Sequence, residues 1–206
     1  MSSASTAEQN VLRMFHNEHG NLASIIRGMQ YFVRAIDQGI EAPDLKVFRA
    51  MLFYIDEYPD RLHHPKEDDH LFVLLQGRDD AIDETIAELE QQHARGAKLV
   101  RRLNRSLARY EFEGMTAFAL FRDQVQEYAG FYFAHMRLEE EVILPAASRL
   151  LTAQEWGTIE AAFASNVDPL TGLDMKDGFD RLFSMIVNIT PAPMGVGDPI
   201  RPGLDA

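Results

Sequence analysis

Residues 118–146, FALFRDQVQEYAGFYFAHMRLEEEVILPA, carry the clearest periodicity in the chain. Phe118, Phe121, Val125, Tyr128, Tyr132, His135, Glu139, Val142 and Ala146 recur at alternating gaps of three and four. That spacing lays one stripe of a helix against its neighbours in a bundle. Two members of the stripe, His135 and Glu139, are polar, although they hold positions otherwise given to apolar side chains. At i,i+4 their imidazole and carboxylate stand one above the other on a single face.

The same pattern recurs in three further segments. Leu12, Phe15, His19, Leu22, Ile26, Met29, Val33 and Ile36 form the first, closed by Gly39. Ile82, Ile86, Leu89, His93, Gly96, Val100, Leu103, Leu107 and Tyr110 form the third. The second begins after Pro43 with Leu45, Phe48, Leu52 and Ile55 and resumes past Pro59 as His63, Glu67, His70 and Leu74. Pro59 and Pro65 each remove a backbone donor, so a kink or local restart is expected there. Gly77 ends the segment, and the Arg78–Asp80 corner is short. Short connections imply antiparallel neighbours, so the pattern predicts an all-α, up-down-up-down four-helix bundle.

Each stripe therefore carries a histidine, and two carry an i,i+4 His/Glu pair: His63/Glu67 and His135/Glu139. With helices near 8–38, 44–76, 79–110 and 114–150, His19 lies about 11 residues from its helix start and His63/Glu67 about 11 from its helix end. His93 lies about 14 from its start and His135/Glu139 about 13 from its end, a spread of roughly 5 Å along the axis. A single seam histidine is usually a hydrogen-bonded core residue. Four at one height with two carboxylates are not, because an uncompensated buried carboxylate costs several kcal/mol. His19, His63, Glu67, His93, His135 and Glu139 are the expected ligands of a two-metal site. Two carboxylates do not neutralise two ferric ions, so an oxo or hydroxo bridge is expected between them.

Composition narrows the chemistry. The chain has 206 residues, 46% of them hydrophobic, enough for one sizeable core. Its net charge of −12 disfavours nucleic acid and an anionic membrane surface, which need clustered Lys and Arg. No apolar run approaches the ~18 residues of a membrane span and the first ten residues are polar, so a cytoplasmic protein is expected. Cysteine is absent, which removes disulfides, thiolate catalysis and iron–sulfur ligation. A His/carboxylate donor set suits iron, manganese or zinc.

Residues 1–150 read as the bundle and 151–206 as an extension. Thr152 and Glu155 form a capping-box signature for a short helix with Trp156, Ile159 and Phe163. Asp168–Pro169 and Gly172 mark a loop, and Phe179, Leu182, Phe183 and Ile186 a second short helix. From Thr190 the Pro/Gly-rich tail is expected to be irregular or draped on the surface. Both short helices are expected to cover bundle surface or form a homodimer contact.

Taken together, these residues resemble the hemerythrin-like HHE cation-binding family. Asn17-Glu18-His19, the His-His-x-x-Glu block from His63 to Glu67, the central His93, and His135, Glu139, Glu140, Leu144 and Pro145 carry the likeness, over roughly residues 10–150. The resemblance implies a non-haem di-iron centre bridged by the two carboxylates, binding dioxygen, nitric oxide or peroxide. Members include oxygen carriers, sensors, and di-iron proteins linked to nitrosative stress and iron–sulfur repair. Oxygen carriers have a second histidine at i,i+4 on the third helix. Here Ala97 and Leu89 stand at those positions, which implies fewer nitrogen ligands and a more open site. Reversible oxygen carriage is therefore disfavoured, and sensing, iron handling or redox reactivity is left more open. A di-iron oxidase, peroxidase or nitric-oxide-reducing enzyme, and a zinc-loaded structural bundle, are the competing readings.

Several residues lie at the margin. His16, about 60° off the seam, reads as a bundle-edge histidine, and His64, about 100° from His63, as a boundary residue. His70 shares a face with His63 and Glu67 and is a candidate for an access channel. Glu140 and Glu141 read as solvated, and Tyr128 and Tyr132 as core tyrosines able to offer hydroxyls to a bound ligand. Glu18 and Asp60 are candidate partners for the outer nitrogens of the ligating histidines.

Overall fold

Ser5 starts the first helix. Its side chain accepts from the Glu8 backbone N–H while the Glu8 carboxylate accepts from the Ser5 N–H, a reciprocal capping box. The computed structural model describes residues 5–40, 43–58, 62–164, 181, 184–192 and 194–196. Helix α1 spans Thr6–Asp37 and α2 Leu45–Tyr58. Beyond residue 61 the second rod continues as α3 (His64–Lys66), a π-helical stretch (Glu67–Phe72) and α4 (Val73–Leu75). The third rod is α5 (Asp80–Glu113). The fourth is α6 (Met115–Leu138), a π-helical stretch (Glu139–Ile143) and α7 (Leu144–Leu150), and α8 (Ala153–Ala164) follows. Among the described residues no helix is long and apolar enough to cross a membrane.

The rods form the expected all-α bundle, with α1 against α2 and α6, and α5 against α2 and α6. Gly39, Gly77 and Gly114 sit at the corners with φ of +79°, +76° and +63°, where a side chain would be strained. Pro65 falls in the first turn of α3, where its missing N–H is no loss. Pro59 and Asp60 lie outside the described residues.

Apolar packing is split into two clusters. One contains Leu22, Ile26, Leu52, Leu62, Val100, Val125 and Tyr132. The other contains Val11, Phe15, Leu71, Leu75, Leu89, Ile143 and Trp156. In every rod the change from one cluster to the other occurs at the polar seam residues: between Phe15 and Leu22, Leu62 and Leu71, Leu89 and Leu99, and Tyr132 and Ile143. A buried polar layer thus crosses all four rods at one level, sealed above and below by hydrocarbon.

The stripes hold along α1, α5 and α6 but break at both π-helical stretches. Each wider turn absorbs an extra residue. After Glu67 the buried positions are Leu71, Phe72 and Leu75, and the expected His70 and Leu74 are only half-buried. After Glu139 they are Ile143 and Leu144, and Val142 is half-buried. The π-turns shift the register, so His70 leaves the seam.

Thr152 and Glu155 cap α8 as expected. Trp156, Ile159 and Phe163 are buried against the cluster that holds Val11 and Phe15, and Phe163 packs on Phe15 at 5.1 Å between ring centroids. Of the second expected short helix, Ile186 is buried within the other cluster, while Phe179, Leu182 and Phe183 lie outside the described residues, as does the Asp168–Gly172 loop. Where it is described the tail is irregular, as expected, and it is anchored to the chain before it. Thr190 and Pro191 are buried and the Val196 N–H donates to the Val187 carbonyl. A Cβ on Gly195 would collide with the Thr190 and Val187 carbonyls, so this close approach requires glycine.

Candidate metal centre

All six seam residues converge. His19, His63, Glu67, His93, His135 and Glu139 are each at most 8% exposed. Four outer nitrogens are occupied in the same way. Nδ1 of His19 donates to Glu140 at 2.8 Å, of His63 to Glu18 at 2.9 Å, of His93 to Asp68 at 3.1 Å, and of His135 to the Gln92 side-chain oxygen at 3.0 Å. Carboxylate and amide oxygens only accept, so each Nδ1 carries the hydrogen. In the neutral ring each Nε2 is then a lone pair, and all four aim inward.

The two glutamates lie between the histidines. Glu67 turns Oε1 to His63 Nε2 at 3.3 Å and Oε2 to His93 Nε2 at 3.5 Å. Glu139 turns Oε1 to His135 Nε2 at 3.0 Å and to His93 Nε2 at 3.9 Å, and Oε2 to His19 Nε2 at 3.3 Å. Each carboxylate therefore shows one oxygen to the His19/His63 pair and one to the His93/His135 pair. Both glutamates open a π-helical stretch, whose wide turn sets them apart from a regular helix.

The donor set fits cations better than hydrogen bonding. Both oxygens of Glu67, both of Glu139, and the Nε2 atoms of His93 and His135 are fully buried without a hydrogen bond of proper geometry. Nε2 of His19 and His63 face one another at 3.0 Å. Six unsatisfied buried atoms aimed at one space, with two lone pairs opposed, are costly unless positive charge lies between them. Two overlapping groups can hold an ion, with donor atoms within 4.8 Å of one another: His19, His63, Glu67 and Glu139, and His64, Glu67, His93 and His135.

The electrostatics of the protein without metal point the same way. Burial pushes the His63 pKa down, but the Glu67 charge and the Glu18 hydrogen bond lift it to about 10. Burial likewise opposes His93, which Asp68, Glu139 and Glu67 raise to about 11. Burial pushes Glu139 up, but the charge of His135 and its histidine neighbours hold it well below the usual carboxylate range. Protons supply the positive charge that the carboxylates demand, and metal ions can displace them.

Outer residues complete the layer. Glu18 also accepts from Lys66 Nζ at 3.2 Å, and that ammonium sits 5.2 Å over the Phe163 ring of α8. Burial would raise Glu18, yet the bond to His63 and the charges of His63 and Lys66 bring it down to about 2. The unfolded value is 4.5, so this group adds stability above pH 4.5 that is lost as pH falls towards 2. In metal-free protein, Glu18→Gln is expected to lower stability at pH 7 by roughly 3 kcal/mol and to flatten its decline between pH 4.5 and 2. Urea titrations across that range check this, and parallel declines in both proteins would refute it.

Of the marginal residues, Glu18 is an outer partner of a seam histidine, as expected, and the structure assigns it to His63. Glu140 departs from its reading as a solvated side chain, because it receives His19 Nδ1. His64 departs most: it is 5% exposed rather than a boundary residue, stacked on His93 and bonded through Nε2 to the Tyr132 hydroxyl at 3.1 Å. The stretch at 62–63 is itself π-helical, and a wider turn brings consecutive residues closer to one face. His16 is exposed and bonds to the Leu12 carbonyl, as an edge histidine should. Asp68 and Gln92 had no signal in the sequence, since their partners lie on other rods.

Residues 6–147 match the model of the hemerythrin HHE cation binding domain. No curated protein and no solved structure matches the chain.

Proposed function

Because this chain belongs to the hemerythrin HHE cation-binding family, we propose that it is a non-haem di-iron protein that binds dioxygen or nitric oxide in a sensing or stress-response role. One observation supports this above all: Glu67 and Glu139 each present one oxygen to either histidine pair. In this reading His19 and His63 would hold one ion and His93 and His135 the other, with Glu67 and Glu139 each able to give an oxygen to both.

Each ion then has two imidazoles and two carboxylate oxygens from the chain, fewer than the six donors of an octahedral site. When bound, a pair of redox-active ions with open positions supplies a place for a small diatomic ligand. The residues provide the rest. Glu18, Asp68, Gln92 and Glu140 fix the ring orientations, and Phe15 packs edge-on against both His19 and His63. The apolar clusters on either side exclude bulk water, which strengthens every charge interaction within the layer.

Protein isolated from its native cells is expected to contain about two iron atoms per chain, and its reduced form to change its visible spectrum on adding nitric oxide anaerobically. His93→Ala is expected to lose about one iron equivalent while its helical circular dichroism is kept. Full iron content in that variant would remove His93 from the ligand set, and a colourless zinc-loaded native protein would favour the structural reading.

A further inference from the structure

Three of the four outer partners of the seam histidines are carboxylates, and the fourth is not. His19 donates to Glu140, His63 to Glu18 and His93 to Asp68, while His135 donates to the side-chain amide of Gln92. The direction of that amide is set by its other contact. Gln92 stands four residues after Glu88 on α5, and its Nε2 donates to the Glu88 carboxylate at 2.8 Å. A carboxylate only accepts, so Glu88 takes the NH2 end and the Gln92 oxygen faces His135. The partner of His135 is held in place, and it is neutral.

Most other outer charges match between the two halves of the centre. Glu140 behind His19 and Asp68 behind His93 are alike, with side chains 37% and 38% exposed. Each half also has one cation further out. Lys66 bonds the second oxygen of Glu18, and Arg95 lies over the Phe131 ring, which is within 12° of parallel to His135. Glu88 is exposed, so water and salt screen its charge. His64, the further imidazole in the His93/His135 group, bonds to the neutral Tyr132 hydroxyl. The difference that remains is Glu18 behind His63, only 10% exposed, against the Gln92 amide behind His135.

A carboxylate that accepts from Nδ1 strengthens the imidazole as a donor through Nε2, and a neutral amide does so less. A stronger donor favours the ferric over the ferrous ion, so outer hydrogen bonds tune potential. From this asymmetry we propose that Gln92 makes the two iron positions unequal, giving the His93/His135 position the higher reduction potential and the first electron. One electron from an external one-electron donor turns ferric into ferrous iron there, and Gln92 neither gains nor loses a bond. Gln92 acts through His135 and is a positioning residue, not a ligand. The inference rests on the two-ion reading given above and adds the order in which its positions are reduced.

The test is an electrode titration of iron-loaded protein, with iron content measured on the same samples. Two one-electron steps are expected. Combining Glu88→Gln with Gln92→Glu exchanges amide and carboxylate, leaving the net charge and the hydrogen bond between them unchanged. In that variant the first step is expected to fall by on the order of tenfold in its equilibrium, about 59 mV for one electron, so the gap between the steps narrows. Asp68→Asn removes a carboxylate from the same half and is expected to raise the first step and widen the gap. Were the His19/His63 position reduced first, both signs would reverse. Reversed signs, or a gap that the exchange leaves unchanged, would overturn the proposal. Where the exchanged variant does not fold, Asp68→Asn decides alone, a narrowed or unchanged gap counting against the proposal. Fewer than two irons in the unaltered protein would overturn the two-ion reading and this inference with it, whereas two irons with the wrong sign would overturn this inference only.

Discussion

Glu67→Ala is expected to strip both metal ions, where a histidine substitution strips one. Glu67 places one oxygen against His63 and the other against His93, so its removal withdraws a donor from each position and breaks the bridge. Loss of an outer partner of a ligand already costs 10–100-fold in metal affinity, so loss of a shared ligand should cost on the order of 100-fold or more at each ion. The fold should survive. Leu71, Phe72 and Leu75 follow Glu67 on its own rod, in the apolar cluster beside the layer, and these keep their packing. Metal content per chain measured with circular dichroism checks the result. Retention of one ion at full occupancy would show that the carboxylate serves a single position.

Removing the metal from the unaltered protein should have the next largest effect. Two carboxylates and four inward Nε2 atoms then lie in an apolar sandwich with only protons to compensate them. A ligand present at 100 times its dissociation constant stabilises by about 2.7 kcal/mol, and each kcal/mol moves the melting temperature of a domain this size by about 2–4 °C. With two ions bound, depletion by a chelator should lower the melting temperature by roughly 10 °C or more, restored on adding ferrous iron anaerobically. A melting curve indifferent to the chelator would mean that the polar layer is stable without cations.

Much of this centre was legible in the sequence because helical periodicity is a local property. His19, His93 and His135 occupy steps that otherwise hold Phe, Leu and Tyr, and counting along each rod places them at one height. The i,i+4 partners Glu67 and Glu139 follow from the same geometry. What a fixed period of about 3.5 residues could not reveal were the π-helical stretches that begin at those glutamates. They shift the register by one residue, move His70 off the seam and bring Leu71 and Ile143 onto it. His64 was misplaced for a related reason, since its 100° offset from His63 assumed a regular helix. Gln92, Asp68 and Glu140 were out of reach on other grounds. Each bonds to a histidine on a different rod, and the rotation of one rod against another is written in no single segment.

The shared carboxylates are tested most directly by anomalous X-ray scattering at the iron edge on crystals of iron-loaded protein. Two peaks are expected about 3.5–4 Å apart, the usual spacing of a two-metal site. One should lie beside His19 and His63, the other beside His93 and His135, with Glu67 and Glu139 spanning both. A single peak, or two peaks that do not share those glutamates, would contradict the account.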